Sequence, residues 1–173
     1  KSQALPYLRR TRASQYASLL VAALLTLAAA SNLIDVYGSA TSWALAAIPA
    51  TIIGSLVALA GTVPALRLWW QMLFMAVAQL VVGPVLFLND TTIAHIVPTL
   101  RTLTQGWMNM LGSFKFILSV EPPTGTADGC LLAVWTICLW FALLTGIFAV
   151  TEDGRFTMIA IIPVTANLAI CAL

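Results

Sequence analysis

Apolar residues in this chain run together in long blocks divided by short polar turns, with no strand-like alternation. Five blocks approach the roughly 20 residues that cross the hydrocarbon core of a bilayer. They lie at about 15–34, 43–66, 68–88, 129–150 and 156–173, and none contains Lys, Arg, Asp or Glu. Hydrocarbon offers a backbone no hydrogen-bond partners, so each amide must be satisfied within its own segment and each block predicts a helix. The expected fold is all-α: a polytopic transmembrane helix bundle of about five spans, with residues 1–173 forming one membrane domain.

The stretch 89–128 breaks this pattern. From Leu100, apolar side chains recur at Leu103, Trp107, Met110, Leu111, Phe114 and Ile117, the three-and-four rhythm of one helix face. Arg101, Gln105, Asn109 and Ser113 repeat every four residues on the other side. An amphipathic helix is predicted, lying along the membrane interface or re-entering the headgroup zone, with the Lys115 ammonium reaching toward water. Packing over the tops of the spans is the competing placement. Glu121-Pro122-Pro123-Thr124-Gly125 then stops the helix, because paired prolines hold the chain extended and Gly125 permits a turn. This connector is either a plain rigid link or a docking surface for another domain.

Composition agrees with the blocks. Hydrophobic residues make up 61% of the chain and charged residues 8%, against about 25% charged in an ordinary soluble domain. A net charge of +2 gives no reason to expect a nucleic-acid partner; the expected partner is the lipid bilayer. What matters is where the basic residues sit. Lys1, Arg9, Arg10 and Arg12 precede the first block, Arg67 separates the second from the third, and Arg155 separates the fourth from the fifth. Alternate crossing gathers these on one side, and leaves only Arg101 and Lys115 on the other, with Asp35, Asp90, Glu121 and Asp128. The basic side is expected to be cytoplasmic. The chain is then a multi-pass protein of the cytoplasmic membrane, with its N-terminus inside and residues 89–128 outside. The basic start, the apolar run and Ala28-Ala29-Ala30-Ser31 also fit a cleaved signal peptide, but the length of the run and the spans that follow at once favour a first helix.

Small residues recur at a spacing of four in the first two blocks: Ser18, Ala22, Thr26 and Ala30, then Ala46, Ala50, Gly54, Ala58 and Thr62. Positions four apart share a face, and small side chains let two backbones approach closely where lipid supplies no hydrophobic drive. Ala22, Thr26, Ala50, Gly54 and Ala58 are therefore the candidate helix-packing positions. Pro49, Pro84 and Pro163 should each bend a helix or mark its end.

Candidate chemistry is sparse. Cys130, Cys138 and Cys171 sit in apolar runs without His or carboxylate at a ligand spacing, and read as small buried hydrophobes. His95, the only histidine, has Asp90 near it in sequence but no activated nucleophile. No phosphate loop or zinc-binding helix motif occurs. The residues predict no catalytic centre, cofactor or metal. Gln79 and Asn167 are the polar residues near mid-span. They are candidates for hydrogen bonds between helices or, on the sharper reading, for a water-lined transport path. An ion relay needs Asp, Glu or His within the spans, and there is none.

One stretch carries a family resemblance. Gly106-Trp107, the apolar run through Phe114, Ile117 and Leu118, and Val120-Glu121-Pro122-Pro123-Thr124-Gly125 resemble a segment of membrane-anchored bacterial transglutaminase-like proteins, most of all the actinobacterial members. The layout is also similar over most of the chain: basic N-terminus, three spans, a long outer segment with this motif, then further spans. The resemblance implies that this region anchors and orients an extracytoplasmic transglutaminase-like domain, of cysteine-protease type, that is not in this segment. The chain opens on Lys1 and closes at Leu173 within an apolar run, as a piece of a longer protein would. The family's catalytic Cys-His-Asp triad has no counterpart here: Cys130 is followed by Leu131-Leu132 at the start of a span. Trp107, Phe114, Pro122 and Pro123 become the candidate contacts with that domain. A component of a small-molecule transporter or channel, and a structural membrane subunit, are the alternatives.

Overall fold

A computed structural model describes residues 11–34, 39–63, 68–87, 99–117, 130–151 and 158–171. The described residues are helical apart from caps and turns, with no strand among them. Helix α1 is Arg12–Ala30 and α2 is Ala40–Ala60. Helix α3 is composite: α-helical over Leu68–Val77, π-helical over Ala78–Val82 and α-helical again over Gly83–Phe87. Helix α4 is Leu100–Ile117, and α5 is Cys130–Val150. Helix α6 opens with a 3-10 turn, Met158–Ala160, and continues as α-helix over Ile161–Cys171.

Helix starts follow from short hydroxyl side chains. Thr11 Oγ1 accepts from the Ser14 amide, and Ser39 Oγ accepts from the Ser42 amide, each satisfying a donor that the first turn leaves open. Thr99 and Thr102 cap α4 reciprocally, each hydroxyl accepting from the other residue's amide at 3.0–3.1 Å. The prolines act in three ways. Helix α2 continues through Pro49. Pro163 lies in the first α-helical turn of α6, where its missing N–H costs little. Pro84 stands just past the π-helical turn, with Gly83 between. Its ring would clash with the carbonyl four residues back, at Leu80, and a locally widened helix relieves that clash.

Four helices are long and apolar enough to cross a membrane: Arg12–Ala30, Ala40–Ala60, Trp69–Phe87 and Leu131–Val150. The fifth expected block is present as a shorter apolar helix, Met158–Cys171. Buried residues take up 61% of the most apolar window of α5, against 28% for α3, so α5 is the central element. Val134, Trp135, Cys138, Leu139 and Leu143 are fully enclosed. A helix apolar on all sides belongs at the centre of a bundle. Helix α2 packs most extensively against α5, followed by α1.

The contacts fix the directions. Gln15 near the start of α1 donates to the Val150 carbonyl at the end of α5, 2.9 Å away. Gln71 near the start of α3 donates to the Val57 carbonyl in the last turns of α2. At the opposite end, Trp43 Nε1 on α2 donates to the Ala30 carbonyl closing α1. Gly54 meets Leu139 and Ala142, while Gly146 meets Ala58, so α2 and α5 run in the same direction. One end of the bundle thus gathers the starts of α1 and α3 with the ends of α2 and α5. The other end gathers the starts of α2 and α5.

Candidate functional site

Helix packing uses the five small residues named from sequence as follows. Ala22, Thr26, Ala50, Gly54 and Ala58 are all buried. A Cβ added at Gly54 would stand 2.5 Å from the Leu139 carbonyl oxygen and 2.9 Å from the Ala142 Cβ. The α2 and α5 backbones touch at this point, and only glycine permits it. The buried threonines Thr26, Thr51 and Thr145 return their hydroxyls to the carbonyl four residues earlier in their own helix, so these three hydroxyls are satisfied locally.

The two mid-span amides occupy different seams. Asn167 is fully buried; its Nδ2 donates to the Thr26 carbonyl and its Oδ1 accepts from Cys171 Sγ. It joins α6 to α1. Gln79, on the π-helical turn of α3, donates to Thr136 Oγ1 of α5 at 2.8 Å. Thr136 in turn donates to the Leu132 carbonyl, with Met110 Sδ of α4 3.5 Å away. The structure does not bring Gln79 and Asn167 together. Cys138 and Cys171 are free and buried, and no metal-ligand group occurs among the described residues.

Helix α4 closes the α3–α5 seam. Thr102 and Gly106 are its buried positions, and Met110, one turn on, is half-buried. With Gln79, Thr136 and Trp140 they line a cavity of about 190 Å³. Thr136 lies six residues into α5, so α4 meets that helix about 9 Å along its axis at ~1.5 Å per residue. The opposite flank of α4 is open: Leu100 is 83% exposed, and Met108 and Leu111 are also exposed. Of the described members of the apolar face read from the sequence, Leu100 and Leu111 are exposed, Leu103 and Trp107 border the cavity, and Met110 joins Thr102 and Gly106 in the contact. Of the proposed domain contacts, Trp107 is exposed at the rim of this cavity. Phe114 lies in α4 but its side chain falls outside the described residues, as do Pro122 and Pro123 and, elsewhere in the 89–128 stretch, His95 and Asp90.

Sequence reasoning passed over Gln15 and Gln71, two buried amides that tie helix ends together at the α1 start. The available signal was an amide near the start of each apolar run, Gln71 directly behind Trp69-Trp70. These residues edge the largest cavity described, about 960 Å³, at the end shared by Arg12, Gly61 and Thr151. Trp135 was passed over as well. Its indole lies edge-on to Phe87, 5.9 Å between centroids, against Gly83.

Comparison with protein-family models, curated proteins and solved structures finds no match to this chain.

Proposed function

We propose that this chain is the membrane-embedded region that anchors and orients an extracytoplasmic transglutaminase-like domain, with its basic end in the cytoplasm and α4 at the outer side. The observation that carries the proposal is how the bundle uses its polar side chains. Gln15, Gln71, Gln79 and Asn167 each spend an amide donor on a partner in another helix. Helices α2, α3, α5 and α6 contain no Asp, Glu, Lys or Arg. Such a bundle is built to hold shape in lipid, because ion-coupled transport places ionisable groups at depth. The motif at Gly106-Trp107 and Val120–Gly125 supports the family, and Trp107 on α4 is left exposed by the bundle. On this reading α4 dips beside α3 and α5 instead of lying flat on the surface.

The transport alternative draws nothing from the geometry, since its two residues belong to separate seams. The test uses the native full-length gene product in intact cells. The proposal expects external protease to release a folded domain whose cysteine reacts with iodoacetamide. If residues 89–128 are the only sizeable extracytoplasmic part of that product, the anchoring role is wrong.

A further inference from the structure

We infer that the large cavity at the basic end of the bundle is a binding site for the phosphodiester headgroup of an anionic phospholipid. The inference rests on the membrane placement proposed above, but not on the attached domain. The cavity, about 960 Å³, opens between the start of α1, the end of α2, the start of α3 and the end of α5. The polar residues along its lining include Arg12, Tyr16, Gln15 and Gln71. Both amides are more than nine-tenths buried. Each is held by one Nε2–H on a main-chain carbonyl and keeps a second N–H for another acceptor. No Asp or Glu lines the cavity among the described residues. Arg12 and the second amide N–H groups of Gln15 and Gln71 offer donors that phosphate oxygens can meet, with no carboxylate among the described lining residues.

Gly61 shapes this wall. A Cβ there would collide with the Gln71 amide, so glycine lets that amide settle over the end of α2. The flanks argue for a lipid over a soluble phosphate. Leu56 is 57% and Tyr16 52% exposed at the cavity edge. They lead outward onto the apolar sides of α1 and α2, where acyl chains would lie, and a free phosphate has no use for such a border.

The full chain is reconstituted in nanodiscs of phosphatidylcholine, alone or with one-fifth phosphatidylglycerol, and bound lipid is counted by native mass spectrometry. Retained phosphatidylglycerol is expected on the wild type. Arg12→Gln should weaken it about tenfold, the scale of one charge-assisted hydrogen bond. Gly61→Ala, which displaces Gln71, should weaken it as well. Arg101→Gln, at the opposite end, should leave it unchanged, which separates a site from diffuse attraction to an anionic surface. Arg12→Lys should recover part of the loss. Equal retention by wild type, Arg12→Gln and Gly61→Ala overturns the inference, and so does complete displacement by millimolar inorganic phosphate, which would assign the site to a soluble ligand. Nanodiscs expose both leaflets, so the result does not depend on which end faces the cytoplasm. A chain that fails to enter nanodiscs at all refutes the membrane placement instead.

Discussion

Gly54 is the position where one atom decides a helix contact. The α2 and α5 backbones meet there with no room for a side chain. Gly54→Leu is expected to lower stability by about 1–3 kcal/mol, the usual cost of overpacking, seen as a reduced melting temperature in detergent. Ala28→Leu, on an exposed face of α1, should change little. The amides are less sensitive one at a time: an interhelical hydrogen bond in lipid averages about 0.6 kcal/mol. Gln79→Leu should therefore preserve the fold, and a melting curve close to wild type is the expected result. A spacing of four marks Gly54 in the sequence, because a small-residue stripe is visible without coordinates. Gln15 and Gln71 are not legible in the same way. Their partners, the Val150 and Val57 carbonyls, are backbone atoms that no side-chain pattern reveals.

At the scale of elements, apolar block length locates α1, α2, α3 and α5, because one solvent imposes one length on every span. The 3.6-residue period likewise locates α4. It does not say which face of α4 meets the bundle. In water the apolar face would turn inward, but in lipid the small Thr102-Gly106 face makes the closer contact and the large side chains can face outward. The π-helical turn in α3 was also beyond the pattern; Pro84 announced a disturbance but not its form. The depth of α4 is open to direct test. Cysteines at Met110 and Thr136, in a background with the native cysteines changed to alanine, should be joined by a short bis-maleimide in membranes, since the 3.5 Å between Sδ and Oγ1 sets the two positions within reach of a small linker. An α4 lying flat in the headgroups would give no α4–α5 product.

For the molecule as a whole, the alternation of helix directions gathers the starts of α1 and α3 and the ends of α2 and α5 at the Arg12 end. The basic residues between blocks, read with the rule that such residues stay inside, make this the proposed cytoplasmic end. A cysteine introduced at Thr124 should then react with a membrane-impermeant maleimide in intact cells, whereas labelling only after permeabilisation would invert the topology. The deeper claim is that the exposed apolar sides of these helices face hydrocarbon. Leu20, Ile52, Leu73 and Leu144 are all more than two-fifths exposed, on α1, α2, α3 and α5. Nitroxide labels at these four positions in nanodiscs, read for collision with oxygen and with a water-soluble nickel chelate, test the claim most directly. The account predicts high oxygen and low nickel accessibility at all four; free access of the nickel chelate to these sites would contradict it.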